Sequence, residues 1–367
     1  MGSSSSKPEF ITVLADKQVN VGETITLCCK ASTEYVTATW EKNDQKLCCV
    51  ERKHFVEKEE TKFSLKIACA EEADEGKYTI NLKNRKGEIS CSSIVRVELM
   101  EWREMHLNQE ILFNTLETFK ICNEVTELRF LLYGPVGGGK SSTINTIRTI
   151  FGGRQYIGCL AAALSEKSHT KYFDRFEVPK EMGSFPFAFY DIMGLQAEKG
   201  VHTNDIISAL KGHMKAGFMC NPETPLSEDS IYYLKNPSIS DQMHCLLCII
   251  PADTFGLMGN DFLKQFKTVS KAASKFGVPQ VVLMTKVDKA CVMTRDCLCN
   301  IYKSKKLRDK IRQYSNSLGI PVNRIFPVWN YHEETHMNED INCLMLEALT
   351  HVVHCANDYV KYVTKGV

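Results

Sequence analysis

An all-β sandwich followed by an α/β domain with a mainly parallel sheet is the architecture this 367-residue sequence predicts. Three observations carry it. Residues 8–99 hold short alternating runs, "TITLCCK", "TATWEK", "KFSLKIA", "KYTINLK" and "SIVRVEL", separated by polar turns such as "KNRKGE", the pattern of half-buried antiparallel strands. From residue 128 onward the period changes, and apolar strand runs alternate with amphipathic helices, as in a parallel sheet covered on both faces. Between the first of those strands and its helix stands "GPVGGGKS", a glycine-rich loop of phosphate-binding type. The length agrees with more than one domain, at roughly 150 residues each.

Composition narrows the function classes. With 45 Lys+Arg against 44 Asp+Glu there is no general basic field, so nucleic acid is not an expected partner. The longest apolar run, "CLLCIIPA", is far short of the ~20 residues that cross a bilayer. Sixteen cysteines are present, but the polar start "MGSSSSKPEF" lacks the apolar core of a signal peptide, so reduced thiols and a cytoplasmic location are expected. The same start matches a myristoylation pattern, Met1-Gly2 followed by Ser6 and Lys7; a lipid on Gly2 gives only reversible membrane contact. The plainer reading is a Ser-rich tail.

In the first segment "GETITLCC" carries Cys29, Trp40 follows, and "ADEGKYTI" places Asp74, Gly76 and Tyr78 as in a tyrosine corner. On these marks residues 8–99 resemble an I-set immunoglobulin domain, which implies a surface for protein partners. Ile80 stands where the partner of the usual inter-sheet disulfide sits, so packing around Trp40 must hold the sandwich. Cys28, Cys48, Cys49, Cys69 and Cys91 read as small packing residues. Residues 100–127 set Ile111, Leu112, Leu116 and Phe119 at helical spacing and predict a helical linker.

The second domain is expected over 128–367. "LRFLLY" reads as a buried strand, and Gly134, Pro135, Val136, Gly137, Gly138, Gly139, Lys140 and Ser141 fit G-x-x-x-x-G-K-S; Ser142 and "TINTIRTIF" continue as a helix with Ile144, Ile147 and Ile150 on one face. In that order of elements the loop amides wrap phosphates, Lys140 reaches the outer phosphate oxygens as the residue closest to catalysis, and Ser141 ligates Mg²⁺. "FPFAFYDIMGL" ends a strand at Asp191, placed to hold Mg²⁺ through water, and Gly194 completes Asp-x-x-Gly.

The base is read from "VVLMTKVD". Thr285, Lys286 and Asp288 match the [NT]KxD motif, in which the carboxylate accepts from guanine N1–H and N2–H₂, groups that adenine lacks. Such charged hydrogen bonds are worth roughly 1.5–3 kcal/mol each, so GTP and GDP are the expected ligands. In "LSEKSHTKYF" Thr170, with Ser168 second, is expected to complete the metal shell and take part in catalysis; Asn330, at the end of "RIFPVWN", is expected near the guanine.

Two other motifs offer different chemistry. "HEETH" at 332–336 satisfies H-E-x-x-H for zinc, but its polar surroundings offer no apolar helix face and no third ligand, so it reads as loop. Cys245 and Cys248 lie inside a strand and read as packing residues.

"EWREM", "GPVGGGKSS", "DIMGLQ", "DIISALKGHMKAGFMCNP", "CLLCIIPADT", "MTKVD" and "VWNY" together resemble the GTPase-like domain of the interferon-induced protein 44-like family, from about residue 101 to the end. The resemblance implies a cytoplasmic GTP-binding protein of the interferon-induced antiviral response. Two departures qualify it: the family's mammalian members usually carry a different N-terminal domain, and Leu195 follows Asp-x-x-Gly where Ras-like enzymes place a water-positioning Gln, with Gln196 one step away. A slow GTPase switch and a non-hydrolysing GTP-binding adaptor therefore both stay open. No long heptad stalk is present, so membrane fission is not expected.

Overall fold

The computed structural model describes residues 7–98, 100–105, 108–122, 124–156, 171–180, 182–196, 200–254, 256 and 259–365. The chain divides into two compact units, with the boundary between Trp102 and Arg103.

The first unit is a two-sheet sandwich. Its strands are β1 (Phe10–Thr12), β2 (Lys17–Asn20), β3 (Ile25–Ala31), β4 (Thr37–Lys42), β5 (Gln45–Lys46), β6 (His54–Glu59), β7 (Lys62–Ile67), β8 (Gly76–Asn84) and β9 (Gly87–Glu98). One sheet runs β1-β3-β7-β6 and the other β2-β9-β8-β4-β5. In β3 every second residue, Ile25, Leu27, Cys29 and Ala31, is buried, as a strand with one face on the core requires. Trp40 lies opposite Ile80 across the β4–β8 pair, and both belong to the core. An aliphatic side chain and an indole thus meet where a disulfide is usual. The Tyr78 hydroxyl donates to the Asp74 carbonyl at 2.9 Å, which closes the tyrosine corner. Of the neighbours Cys28 and Cys29, the first is exposed and the second buried, on opposite faces of β3.

The second unit opens irregularly. The helix expected over 100–127 is only α1 (Gln109–Glu117), capped by the Asn108 side chain accepting from the Ile111 amide. The other described residues of that segment are irregular chain, and side-chain bonds tie them down where helical spacing shows nothing. Arg103 donates to the carbonyls of Ile325 and Val322, and the Cys122 amide donates to Asn357 Oδ1. From Arg103 the segment is therefore part of the second unit, not a free linker.

The elements that follow are β10 (Leu128–Tyr133), α2 (Lys140–Gly152), β11 (Tyr172–Pro179), β12 (Ser184–Asp191), α3 (Thr203–Leu210), β13 (Phe218–Met219), β14 (Cys245–Pro251) and α4 (Asn260–Lys275). Then come β15 (Gln280–Thr285), α5 (Val287–Ala290), α6 (Val292–Asp296), α7 (Lys305–Leu318), β16 (Ile325–Pro327) and α8 (Glu339–Lys365). Among the described residues the sheet order is β13-β11-β12-β10-β14-β15-β16, with β10, β12, β14, β15 and β16 parallel to one another, β11 antiparallel to β12, and β13 antiparallel to β11.

Helices cover both faces. Phe130 of β10 packs against Phe187, which meets Phe151 of α2, whereas Tyr133, of opposite parity on β10, stacks on Phe266 of α4. Every residue of β14 is accordingly buried, Cys245 and Cys248 included. In one respect the cysteines depart from expectation: Cys297 and Cys299 form a disulfide rather than free thiols. The turn between α6 and α7 brings their Cα atoms to 5.4 Å, within disulfide reach.

Candidate functional site: a phosphate loop at the centre of the sheet

β10 is paired on both sides, by β12 and β14, so the loop leaving its C-terminal end starts from a fixed point. Glycine is required there for space as well as for backbone freedom. A Cβ on Gly134 (φ 151°) would lie 2.2 Å from the Ile249 carbonyl oxygen, and one on Gly138 would lie 2.9 Å from the same atom. Gly137 (φ 72°) makes the turn, and Gly139 (φ 100°) is the N-cap of α2. The loop therefore ends on a helix N-terminus, where free amides and the helix dipole favour an anion.

Lys140, the first residue of α2, is only 6% exposed, and its Nζ donates to the carbonyls of Gly134 (3.4 Å) and Pro135 (3.3 Å). Burial lowers its pKa from the usual lysine value, opposed by the nearby Asp191 carboxylate. Ser141 Oγ donates to Asp191 Oδ2 at 2.8 Å, joining the loop to the end of β12, and Asp191 is 1% exposed. Hydroxyl and carboxylate are both oxygen donors, a set suited to a hard cation such as Mg²⁺ when phosphate oxygens complete the shell. Ser142 continues the first turn of α2, partly buried.

From the other side Thr285, at the end of β15 and fully buried, donates its hydroxyl to the Gly138 carbonyl at 2.6 Å. Lys286 follows in the left-handed region (φ 56°) and starts α5, which carries Asp288, half-buried, in its first turn. Gly194 packs on Val136 so tightly that a Cβ would lie 2.8 Å from the Val136 N and Cα atoms. Lys140, Ser141, Asp191, Gly194 and Thr285 thus surround one loop. Gly2, Thr170 and Ser168 lie outside the described residues.

Asn330 reaches the phosphate loop from the end of the last strand. Its Nδ2 donates to the Gly139 carbonyl (3.3 Å) and the Thr143 hydroxyl (3.2 Å), so its side chain faces the phosphate loop. His332, Glu333 and His336 lie in irregular chain rather than on a helix. His332 Nδ1 pairs with the Asn330 carbonyl, and His336 Nδ1 with the Thr335 hydroxyl, so the two imidazoles do not share a helical face.

A threonine stripe escaped the reading from sequence. Thr143, Thr146 and Thr149 of α2 are all buried. Their hydroxyls accept from Asn330 Nδ2, the Tyr331 amide (3.0 Å) and the Tyr156 amide (2.9 Å). Three threonines at a spacing of three are visible in "TINTIRT", but the isoleucines between them carry the louder signal.

The model of the I-set immunoglobulin domain matches residues 8–97. Mouse (Mus musculus) interferon-induced protein 44 is 25% identical over 282 residues, 74% of this chain and 65% of that protein. Human (Homo sapiens) interferon-induced protein 44-like is 30% identical over 241 residues, 65% of this chain and 53% of that protein. The matches thus span between about half and two thirds of those relatives' length. Among solved structures, titin domain M7 is 30% identical and covers 26% of this chain and 99% of that domain, with a TM-score of 0.25. The relatives of this chain are interferon-induced protein 44 family members, and its N-terminal unit carries an I-set immunoglobulin domain in front of an α/β domain.

Proposed function

We propose that the second unit binds GTP and GDP with Mg²⁺ and that the chain acts in the cytoplasm as a guanine-nucleotide-dependent component of the interferon-induced antiviral response. The observation that carries the reading is the convergence on one loop of Lys140, the Ser141–Asp191 pair at 2.8 Å and the Thr285–Gly138 bond at 2.6 Å. In this assignment Lys140 and the loop amides hold the phosphates, Ser141 and Asp191 hold the metal with Thr170 as a further ligand, and Asp288 reads the guanine edge. Interferon induction is supported by the names of the relatives. The immunoglobulin unit is the surface for protein partners, and Gly2 acylation supplies reversible membrane contact.

The test is a titration of the purified full chain with fluorescent GTP, ATP and xanthosine triphosphate, with Mg²⁺ and with EDTA. GTP is expected to bind in preference to ATP, more weakly in EDTA, and Asp288→Asn is expected to shift preference from GTP toward xanthosine triphosphate. Equal affinity for all three nucleotides in wild type and variant would sink the guanine assignment.

A further inference from the structure

Beyond Asp191 the chain does not leave the phosphate loop. The Leu195 amide donates to the Gly134 carbonyl at 2.9 Å, and the Val136 amide donates to the Leu195 carbonyl at 3.2 Å. Together they form a parallel bridge between Pro135 and Leu195. The Val201 amide donates to the Gly194 carbonyl at 3.2 Å, which fastens the segment from behind. Gly194 has no room for a side chain against Val136, so the approach is as close as backbone allows.

This pairing decides which side chain is buried. Successive residues of extended chain point to opposite sides. Leu195, 2% exposed, is turned inward and Gln196 is exposed. A register one residue later would exchange them, but it would break both hydrogen bonds of the bridge and push a side chain into Val136.

Hydrolysis of a triphosphate on such a loop has few covalent steps for the protein to perform. A water oxygen bonds to the γ-phosphorus, the bond from that phosphorus to the β–γ bridging oxygen breaks, and the water's proton leaves with the released phosphate, giving GDP and inorganic phosphate. What the protein supplies is charge and a group that orients the water. Lys140, Ser141 and Asp191 supply the first; the isobutyl group of Leu195 has no donor or acceptor for the second.

We infer that Leu195 makes this a triphosphate-retaining site, and that its pairing with the phosphate loop keeps Gln196 from orienting water in its stead. The inference rests on the proposed GTP binding. Return from the GTP-bound state then occurs by nucleotide exchange, not by hydrolysis.

The experiment loads the full chain with γ-labelled GTP and Mg²⁺ and follows phosphate release in a single turnover, with affinity measured separately by fluorescent-GTP titration. Wild type is expected to release phosphate no faster than free GTP hydrolyses in the same buffer. Leu195→Gln is expected to accelerate release by about 100-fold, the low end of what a positioned proton-transfer group contributes. Leu195→Ala, which opens space without adding a polar group, should stay at the wild-type rate, as should Gln196→Ala. Bound GTP that wild type hydrolyses well above the rate of free GTP, or a loss of hydrolysis in Gln196→Ala, overturns the inference and leaves GTP binding intact. No measurable GTP binding removes the assignment beneath it and the inference together. Should Leu195→Gln fold poorly by circular dichroism, the wild-type and Gln196→Ala rates still decide.

Discussion

In the immunoglobulin unit the buried Tyr78 hydroxyl is committed to the Asp74 carbonyl, and the Asp74 carboxylate to Lys53, at 2.9 Å each. In the α/β unit Lys140, Ser141, Asp191, Thr143 and Thr285 gather around a loop at the ends of parallel strands, with bonds from Lys140, Thr143 and Thr285 to loop carbonyls and from Ser141 to Asp191. Only the second set is arranged so that an anion with a divalent cation could exchange for its internal bonds. Polar residues that close a corner stabilise, whereas polar residues that line helix N-termini and strand ends are available for a ligand.

Substitutions that strike one unit alone sharpen this contrast. The largest effect is expected from Trp40→Ala, which removes the central ring of the sandwich and should destabilise the first unit by about 3–5 kcal/mol. Hydrogen exchange of residues 8–98 in the full chain should rise while GTP affinity stays unchanged. A fall in GTP affinity would break the division of roles.

A second lever is pH. His244 is fully buried between the Arg129 amide, which donates to Nδ1, and the Ile239 carbonyl, bonded to Nε2. Burial pushes its pKa from 6.5 down to about 4, against the opposing pull of the Ile239 carbonyl. The unfolded chain takes up a proton near pH 6.5 and the folded chain only near pH 4, so the stability it contributes is complete above 6.5 and is lost as pH falls toward 4. The α/β unit should lose about 3 kcal/mol across that window. Urea denaturation at pH 7 and pH 4.5, followed by exchange of residues 124–156, measures it, and a pH-independent midpoint would contradict the burial argument.

Lys140→Ala should weaken GTP by about 100-fold, the worth of one or two charge-assisted hydrogen bonds to phosphate, with the immunoglobulin unit unaffected. Unchanged affinity in folded protein would break the site assignment. The smallest effect is expected from Tyr78→Phe, which deletes one hydrogen bond and should cost about 1 kcal/mol in the first unit by denaturant titration.

Legibility in the sequence followed the same divide. Trp40, Tyr78 and the loop from Gly134 to Ser141 were readable because each is a fixed spacing with a physical cause: a strand period, a corner, or a turn that only glycine can make. The helix at 100–127 was overread. Apolar spacing reports a face to be buried, and irregular chain held by Arg103 and Cys122 can bury one too. The bridge from Leu195 to the phosphate loop and the inward turn of Asn330 were invisible, since one pair of backbone bonds or one amide leaves no periodic trace. The disulfide at Cys297 and Cys299 was missed because composition was read for the chain as a whole and not for a turn that brings two thiols together.

The central position of β10 has a dynamic consequence. Its strand hydrogen bonds run to β12 on one side and β14 on the other, so its amides should be among the slowest to exchange with deuterium, opening only when the whole unit opens. The segment at Gly194–Leu195 is held to the loop by two backbone bonds and should open on its own, far more often. A ligand in this place would meet one wall as durable as the fold itself and one that yields within a fluctuation, and the slow wall would set where it sits while the fast one would set how long it stays.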